Sequence, residues 1–462
     1  MVYMRRNLVC ILSLMLLAVS LQGCRKEWLE AKWDKSLLVP ETIADFQALL
    51  DNTSQVFNIN QSCGLAEISA GDFYITNTSY QSLFNVQEKS SYIWQETAQF
   101  YRGELNIDWG NAYKRILNAN VILDGINRID PVADERESWN NVKGAALFFR
   151  AFDFFSLSQE FCESYAKATA EDTPGLPLRL DYDVNVKAGR SSLQQTYDQI
   201  TGDLKLAAKL LGTTALHKTR PSRQAAFALL ARTYLAMEQY PEAALYADSA
   251  LQIQSGLLQY ANLKSTAAYP FARFNLEVIF QNTFTYGIFS AARLLVDPSL
   301  YASYSVEDCR RTLFFTPNAN GVTFKGSYNG DKNLFGGLAT DELFLIRAEG
   351  RARAGDQYGA LQDLNHLLKS RWKGNYTEIL PDDLLSVLTL ILRERRKQLL
   401  FRGVRWSDLR RLNKDRRFAV TLAREVNGTT YFLPPNDGRY VFPIDEDELS
   451  KSGIQQNNRG ED

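Results

Sequence analysis

Apolar residues recur at helical spacing in two long segments of the chain. One stripe is formed by Ala145, Phe148, Phe149, Phe152 and Phe155, and another by Phe227, Leu230, Ala231, Tyr234 and Leu235. Residues three, four and seven positions apart lie on one face of an α-helix. The pattern therefore predicts amphipathic helices that bury these faces in a core.

The second stripe is followed by a segment that predicts a partner helix. Pro241 lies where a helix can begin, because proline in the first turn gives up no hydrogen bond. A face of small residues follows, which lets two helices approach closely, and it is formed by Ala243, Ala244, Ala247, Ala250 and Leu251. The offsets of a tetratricopeptide repeat are matched by Ala231, Tyr234, Ala243 and Ala250.

Two further helix pairs are predicted elsewhere in the chain. Residues Asp341–Arg371 repeat the spacing, with Ala348 and Ala360 twelve positions apart and Gly355 placed to end the first helix. A looser unit runs over Trp109–Ile126 and continues into the phenylalanine-rich segment. Long insertions separate these units. The predicted fold class is therefore dominated by α-helices, as a tetratricopeptide-like scaffold with loop-rich insertions and a few short strands.

Two insertions differ in composition from the helical segments. Residues 67–101 are rich in Tyr, Asn, Ser and Thr and show little helical periodicity, and residues 271–337 carry Phe, Tyr, Gly and Asn with few charges. The second insertion is typical of loops and short strands. Because loops on a rigid scaffold carry binding residues more often than the scaffold does, we expect a binding site in these insertions.

The N-terminus predicts export and a lipid anchor. Arg5 and Arg6 precede an apolar run from Leu8 to Val19, and Leu21-Gln22-Gly23-Cys24 follows. A basic start, a short apolar core and small residues before a cleavage point make a secretory signal peptide, and the run is shorter than the ~20 residues that a membrane-spanning helix needs. The last four residues resemble the lipobox of bacterial lipoproteins, which implies cleavage before Cys24 and acylation of its thiol. An ordinary signal peptide that contains a cysteine is the alternative.

Composition narrows the class of protein further. The 462-residue chain has a net charge of -1, which argues against nucleic acid as a partner, and 12% of its residues are aromatic. Cys10 lies in the signal peptide and Cys24 in the lipobox. Cys63, Cys162 and Cys309 are widely spaced and form neither a disulfide framework nor a CxxC metal motif. They predict three buried thiols, with one disulfide and one free thiol as the alternative.

Seven segments, in their order along the chain, resemble the SusD/RagB family of nutrient-binding outer-membrane lipoproteins. They are Trp109–Ile126, Trp139–Leu157, Gly175–Leu178, Arg190–Leu211, Arg223–Leu235, Leu392–Leu412 and Tyr440–Leu449. The resemblance runs from Cys24 to the C-terminus. The chain departs from the family at Arg402, where an acidic residue is usual, and after Leu449, where Gln456-Asn457-Asn458-Arg459-Gly460 replaces the usual closing motif.

The resemblance implies a lipoprotein signal peptide at 1–23 and a SusD-like domain at 24–462. That domain divides into an N-terminal part at 24–220, a tetratricopeptide-like helix pair at 221–270 and a C-terminal part at 271–462. The implied scaffold has four tetratricopeptide-like units and a loop-rich face.

The resemblance also implies a location and partners. The protein is expected on the outer face of the outer membrane, held by its lipid anchor, as the lid of a SusC-like TonB-dependent transporter. The implied ligand is an oligosaccharide, or a peptide in some branches of the family. It is bound and passed to the transporter without catalysis, so no cofactor is expected.

A glycan site needs flat aromatic faces flanked by amides, carboxylates or arginines. In the first insertion this mixture predicts ligand contacts at Asp72, Tyr74, Asn77, Tyr80 and Trp94. In the second insertion it predicts them at Tyr286, Tyr301, Tyr304 and Tyr328. Packing between insertion and scaffold is the alternative role for each ring.

Signals for catalysis or for a metal site are weak. The two histidines, His217 and His366, are far apart and have no neighbouring ligands, which disfavours zinc. The sequence contains no Gly-x-Ser-x-Gly motif of a serine hydrolase. A glycosidase needs a pair of carboxylates, and the helical scaffold gives no support for one. We predict neither catalytic residues nor a bound metal.

The segment Arg393–Arg417 is strongly basic. In an exported protein this favours a structural role, because the planar guanidinium of arginine can tie several helix ends together. Contact with the transporter is the alternative.

The chain as a whole has one further interpretation, that of an adaptor lipoprotein which binds only protein partners in the cell envelope. An adaptor of this kind is expected to keep uninterrupted repeats with a concave groove. The loop-rich aromatic insertions therefore favour the nutrient-binding interpretation.

Overall fold

Helices dominate the part of the chain that the structure describes. The computed structural model describes residues 40–381 and 383–460, and these contain seventeen α-helices. In chain order the helices are α1 (Ile43–Leu50), α2 (Gly64–Ser69), α3 (Asn77–Gln81), α4 (Val86–Ile93), α5 (Thr97–Phe100), α6 (Ile107–Asn127), α7 (Arg136–Phe161), α8 (Leu193–Leu210), α9 (Arg223–Ala236), α10 (Tyr240–Ile253), α11 (Pro298–Ala302), α12 (Arg310–Leu313), α13 (Thr340–Arg353), α14 (Gln357–Lys369), α15 (Leu384–Gln398), α16 (Arg405–Leu412) and α17 (Glu446–Ser452). The predicted fold class is confirmed.

Twelve short strands form six two-stranded antiparallel sheets within the described residues. The strands are β1 (Phe73–Tyr74), β2 (Pro174–Pro177), β3 (Arg190–Ser192), β4 (Val278–Phe280), β5 (Thr283–Phe284), β6 (Leu295–Val296), β7 (Phe315–Asn318), β8 (Gly321–Phe324), β9 (Leu334–Phe335), β10 (Leu338–Ala339), β11 (Leu422–Val426) and β12 (Thr429–Leu433). The pairs are β1 with β6, β2 with β3, β4 with β10, β5 with β9, β7 with β8, and β11 with β12. Strands β4 to β9 lie in the second insertion, as predicted.

The long helices pack one against the next. In series, α6 contacts α7, α7 contacts α8, α8 contacts α9, α9 contacts α10, α10 contacts α13, and α13 contacts α14. Three residues connect α9 to α10 and α13 to α14, and so short a connection reverses the chain direction. Pro241 lies in the first turn of α10, and Gly355 follows α13 with φ +88°. The three predicted helix pairs are confirmed.

The first insertion contains more helix than its composition predicts. Helices α2 to α5 lie in residues 64–100. Thr76 Oγ1 accepts the Ser79 N–H of α3 at 3.1 Å, and Asn85 Oδ1 accepts the Gln87 N–H of α4 at 2.8 Å. Side-chain oxygens at this position satisfy amide groups that a helix leaves open at its start. The polar residues that weaken the helical periodicity are therefore also those that begin the short helices.

A cluster of phenylalanine rings joins the second insertion to the scaffold. Phe280 of β4 is fully buried. Its ring centroid lies 4.8 Å from that of Phe148, 5.7 Å from that of Phe149 and 6.0 Å from that of Phe152. All three partners belong to α7. The apolar stripe predicted from the sequence thus packs against a strand of the insertion.

Buried ion pairs account for much of the basic segment. Arg395 Nε donates to Asp408 Oδ2 at 2.8 Å, and the Arg411 guanidinium donates to both oxygens of Glu349 at 2.6 and 2.8 Å. These four side chains are at most 7% exposed. The pairs tie α15 and α16 to each other and to α13, so the predicted structural role of the segment is confirmed.

The three cysteines in the described residues are free thiols. Cys162 is buried, and Cys63 and Cys309 are half-buried. Burial raises the pKa of the Cys162 thiol to about 11, so this thiol stays protonated at neutral pH. The prediction of three thiols is confirmed, although only one of them is fully buried.

The N-terminal predictions fall on residues that the structure does not describe. The signal peptide and Cys24 lie outside residues 40–381 and 383–460. Within those ranges no helix combines the length and apolar character needed to cross a membrane. The domain boundaries at residues 220 and 270 stay a prediction.

Candidate functional site

The two insertions meet in a small antiparallel sheet. Strand β1 of the first insertion pairs with β6 of the second, and Tyr74 lies opposite Leu295. The Asp297 N–H donates to the Asp72 carbonyl oxygen at 3.0 Å, which extends this pairing by one residue. Two segments that are far apart in the sequence are thereby held side by side.

A hairpin from the C-terminal part completes the same surface. Strands β11 and β12 are joined by Asn427 and Gly428, whose φ angles are 51° and 79°. Two positive φ angles are typical of the tight turn that Asn-Gly favours in hairpins. The Asn427 N–H donates to Asn77 Oδ1 at 2.9 Å, and Gln81 Nε2 donates to Asn427 Oδ1 at 3.3 Å. The hairpin turn is therefore bound to α3.

Arg424 anchors this hairpin to the first insertion. Its guanidinium carbon lies 4.1 Å from the centroid of the Tyr92 ring and 4.9 Å from that of Trp94. The same group donates to the carbonyl oxygens of Ile68, at 2.6 Å, and Tyr92. Burial lowers the pKa of Arg424 to about 10. Cation–π contacts and carbonyl acceptors thus hold a buried arginine in place.

Three tyrosines and four amide side chains form what we call the tyrosine–amide surface. Its members are Tyr74, Asn77, Tyr80, Gln81, Asn320, Asn427 and Tyr431. The three rings are half-buried and the four amides are exposed. Burial, with a smaller contribution from Tyr431, raises the pKa of Tyr80 to about 12. The Tyr80 hydroxyl therefore stays neutral at physiological pH and can donate as well as accept a hydrogen bond.

The turn between β7 and β8 approaches this surface closely. The Tyr74 hydroxyl donates a long hydrogen bond of 3.5 Å to the Asn320 carbonyl oxygen. A Cβ atom at Gly321 would lie 2.9 Å from the Tyr74 hydroxyl oxygen, and the φ of Gly321 is +148°. Glycine is therefore required at this position for the turn to sit beside the ring.

The chemistry of the tyrosine–amide surface suits neutral polar ligands. Aromatic rings offer flat apolar faces, and a tyrosine adds a hydroxyl at the edge of its ring. Each amide offers one acceptor oxygen and two N–H donors. The seven defining side chains carry no charge, so recognition here rests on stacking and neutral hydrogen bonds.

Four of the predicted contact residues are buried and bonded to protein groups. Asp72 accepts from Arg396 at 2.8 Å, and Trp94 Nε1 donates to the Ser69 carbonyl oxygen at 3.1 Å. The Tyr304 hydroxyl donates to the Lys397 carbonyl oxygen at 2.9 Å. The Tyr328 hydroxyl donates to Glu277 Oε2 at 2.7 Å. The exposed fraction is at most 3% for Asp72, Trp94, Tyr304 and Tyr328. In the structure these four side chains therefore have the alternative role, which is packing within the protein.

The remaining predicted residues are at least partly accessible. Tyr74, Asn77 and Tyr80 come together in the tyrosine–amide surface. Tyr301 is half-buried, with the Arg311 guanidinium 4.6 Å from its ring centroid. Tyr286 is half-buried, and its hydroxyl donates to Asp108 Oδ1 at 2.9 Å. Tyr286 therefore links the second insertion to α6.

Sequence reasoning missed the contribution of the hairpin. The signal was present, because Leu422, Arg424 and Val426 alternate inward with outward residues ahead of Asn427-Gly428. Alternation on both sides of an Asn-Gly pair is a strong short-range hairpin signal. The hairpin contacts α3 across a long sequence separation. The local pattern of residues does not predict this contact.

Comparison with known proteins gives a family for the N-terminal half. A SusD-like family model, described as "Starch-binding associating with outer membrane", matches residues 27–235. A search of curated proteins found no match.

Solved structures share the fold over nine tenths of the chain. A SusD superfamily protein from Bacteroides vulgatus is 21% identical, covers 90% of this chain and 99% of its own, and superposes with a TM-score of 0.70. A SusD-like carbohydrate binding protein from the same organism is 19% identical, with coverages of 90% and 97% and a TM-score of 0.68. Surface glycan-binding protein A from Bacteroides uniformis is 16% identical, with coverages of 90% and 99% and a TM-score of 0.66.

The family model and the shared fold cover different lengths of the chain. The family model assigns the N-terminal part by sequence. The structural similarity extends the same architecture through the second insertion and the C-terminal helices. By sequence, residues 27–235 are similar to the SusD-like family, and the chain shares the fold of solved SusD-like proteins over nine tenths of its length.

Proposed function

We propose that this protein binds a glycan through the tyrosine–amide surface, at the outer face of the outer membrane, and passes it to a β-barrel transporter. The observation that carries the proposal is the meeting of three distant segments in one surface of half-buried rings and exposed amides. The description of the matching family as starch-binding supports a carbohydrate ligand. A peptide is the second class of ligand that the family resemblance implies.

The composition of the surface supports binding without catalysis. A hydroxyl group that takes part in proton transfer or nucleophilic attack is activated by a neighbouring base, such as an imidazole, a carboxylate or an amine. The seven defining side chains are phenols and amides. They are suited to holding a polar ligand in place, and the proposal assigns no reaction to them.

The first prediction concerns the two tyrosines of the first insertion. Tyr74→Ala and Tyr80→Ala should each weaken glycan binding about tenfold, because each variant removes a stacking face worth about 1.4 kcal/mol. A glycan array identifies the ligand, and isothermal titration calorimetry then measures the dissociation constants.

The matched control for this prediction is Tyr358→Ala. Tyr358 is 74% exposed on α14, outside the tyrosine–amide surface. The control should keep the affinity of the unmodified protein. Equal affinities for all three variants would place the ligand elsewhere and remove the basis of the proposal.

The second prediction concerns the lipid anchor at Cys24. Cys24→Ala should move the protein from the membrane fraction to the soluble fraction, because acylation requires the thiol. The melting temperature and the glycan affinity should stay unchanged, since the fold is carried by later residues. Cys309→Ala, which removes a thiol outside the lipobox, is the control and should remain in the membrane fraction. A Cys24→Ala protein that still sediments with membranes would contradict lipid anchoring.

Delivery to a transporter is the part of the proposal that needs a protein contact. A groove of about 890 Å³ lies between α6 and residues 178–188. Val184 and Val186 beside it are 75% and 53% exposed. Exposed apolar side chains that lie close together favour a protein contact, so we place the partner here. The same observation supports the second candidate function, an adaptor that binds protein only.

One variant tests the partner surface, and glycan binding separates the two functions. Val184→Asp puts a charge on the proposed partner surface and should abolish co-purification with a TonB-dependent transporter from solubilised outer membranes. Its glycan affinity should match that of the unmodified protein if ligand and partner surfaces are separate. A protein that holds its partner but binds no member of the glycan array would favour the adaptor.

A further inference from the structure

Two buried carboxyl groups face each other where both insertions join the scaffold. Asp108 lies in the first turn of α6 and Glu160 near the end of α7, and they are 1% and 0% exposed. They accept from the consecutive N–H groups of Leu65 and Ala66, which places the two carboxyl groups side by side, and no donor of the described residues reaches Glu160 Oε2. Two carboxyl groups held together in a buried place cannot both ionise without a large cost in free energy. We therefore infer that the pair holds one shared proton.

Helix α2, which leads into the first insertion, and Tyr286 of the second insertion are both bound to this pair. The Leu65 N–H of α2 donates to Asp108 Oδ2 at 3.0 Å, and the Ala66 N–H donates to Glu160 Oε1 at 3.1 Å. The Tyr286 hydroxyl of the second insertion donates to Asp108 Oδ1 at 2.9 Å. Four segments, two from the scaffold and two from the insertions, thus converge on one proton.

We propose that the proton shared by Asp108 and Glu160 stabilises the contacts that hold both insertions to the scaffold. Loss of this proton as the pH rises then opens the insertions locally, before the protein unfolds globally. The proposal is independent of which ligand the insertions bind.

Arg115 and Arg410 lower the pKa values of the pair, but they do not match two negative charges there. Arg115 on α6 is engaged with Asp153, at 2.7 Å. Arg410 on α16 donates to the carbonyl oxygens at the end of α7, those of Ser158, Gln159 and Cys162. The other ionisable groups that act on the pair or lie around it are Cys63, Glu67, Tyr101, Arg232 and Tyr286. A doubly ionised pair would leave two like charges together in a buried place.

The pKa values agree with this geometry. Burial, followed by the charge of Asp108, raises the pKa of Glu160 well above its usual range. Burial also raises the pKa of Asp108. In the unfolded or opened state these groups lose their protons near pH 4. A proton that only the closed state retains makes opening easier as the pH rises, about tenfold for each pH unit.

Helix α2 carries another buried carboxyl group that keeps its proton. Glu67 Oε2 accepts the Gly403 N–H at 2.9 Å, and burial, followed by the charge of Asp72, raises the pKa of Glu67 to about 8. Glu67 is therefore largely protonated at neutral pH. This group is confined to the first insertion, which distinguishes it from the shared proton that serves both insertions.

Hydrogen exchange of the full chain tests the proposal. Exchange is followed by mass spectrometry from pH 6 to pH 8 and corrected for the intrinsic pH dependence of amide exchange. Opening of peptides that cover Gly64–Ser69 and Tyr286–Phe289 should increase at least tenfold per pH unit. Peptides from α9 and α10 should show no such increase. A dependence shared by all peptides would indicate global unfolding and would overturn the proposal.

Two isosteric variants assign the proton. Glu160→Gln keeps an acceptor for Ala66 and a donor for Asp108 but cannot ionise. The increase in peptide opening with pH should therefore be smaller by a factor of about ten for each pH unit in both insertions. Glu67→Gln should reduce it only in the Gly64–Ser69 peptide. An unchanged pH dependence in Glu160→Gln would overturn the proposal.

A third variant covers the case in which Glu160→Gln does not fold. Tyr286→Phe removes only the phenol contact with Asp108. It should increase exchange in the Tyr286–Phe289 peptide and leave the Gly64–Ser69 peptide at its original value. Unchanged exchange in both peptides would show that the pair does not fasten the second insertion.

Discussion

Replacing Arg371 with methionine should lower the free energy of unfolding by about 3–5 kcal/mol. Arg371 follows α14 and is fully buried. Its two terminal nitrogens donate to the two oxygens of Glu277, each at 2.8 Å, and Asp341 lies 3.9 Å away. The variant leaves the Glu277 carboxylate buried without its ion-pair partner. An uncompensated buried charge costs far more than the loss of an exposed pair.

Urea unfolding followed by circular dichroism measures this effect. The control is Arg417→Met, because Arg417 is 57% exposed and its pair with Asp415 should contribute at most about 0.5 kcal/mol. Adding Glu277→Gln to Arg371→Met should recover part of the stability, since the stranded charge is then removed. A loss below about 1 kcal/mol for Arg371→Met would show that the buried pair is not stabilising in this context.

The destabilisation should also depend on pH in a defined direction. Burial raises the pKa of Asp341, but Arg402 and Arg371 more than offset this effect and hold it below its usual range. Removing Arg371 therefore raises the pKa of both nearby carboxyl groups. Burial raises the pKa of Glu277 even in the parent, so in the variant these groups take up protons from above their usual range. The difference between variant and parent should therefore shrink as the pH falls.

The helical scaffold could be predicted from the sequence because its signals are local. The stripe from Ala145 to Phe155 repeats over several turns, and helix boundaries at Pro241 and Gly355 follow from backbone chemistry that single residues impose. The structural role of the basic segment could also be predicted, because in an exported chain a run of arginines is better explained by ion pairs within the protein than by binding of nucleic acid. These features depend on neighbours within one or two helices.

The candidate site was only partly predictable, because ring exposure depends on distant residues. Tyr74 and Tyr328 both lie in polar, aromatic-rich stretches, and the sequence around them does not separate an accessible ring from a buried one. Tyr328 is covered by Arg402, whose guanidinium carbon lies 3.8 Å from the ring centroid and which donates to Asp341 at 2.9 Å. Arg402 is one of the two places at which the sequence departs from the pattern that it resembles. The unusual residue at this position therefore has a packing role, but the sequence does not show that its partners are Tyr328 and Asp341.

The two insertions are joined to each other and to the hairpin by contacts between residues that are far apart in the sequence. Each insertion is held by contacts with other parts of the chain. Asp72 and Asp297 connect the insertions at β1 and β6, and Asn77 connects the first insertion to the hairpin turn. The geometry of the tyrosine–amide surface is therefore set by how firmly the insertions are fixed to the scaffold. The contact that fixes the second insertion most directly is an aromatic one.

Phe280→Ala should lower the free energy of unfolding by about 3–5 kcal/mol, an effect as large as that of Arg371→Met. The ring is fully buried among Phe148, Phe149 and Phe152, with centroid separations between 4.8 and 6.0 Å. Chemical unfolding monitored by circular dichroism gives the change. Phe432→Ala, at a 54% exposed position on β12, is the matched control and should change stability by at most about 0.5 kcal/mol.

The backbone around Phe280 places the expected loss at the upper end of this range. Phe280 pairs with Leu338 in the sheet of β4 and β10, and a Cβ at Gly337 would lie only 2.0 Å from the Phe280 carbonyl oxygen. A strand held this closely cannot shift to fill the cavity that alanine leaves, and unfilled cavity volume adds to the loss of buried apolar area. Phe280→Leu, which refills most of the space, should recover more than half of the stability. Equal losses for alanine and leucine would show that the aromatic contacts, and not the filled volume, hold the second insertion to α7.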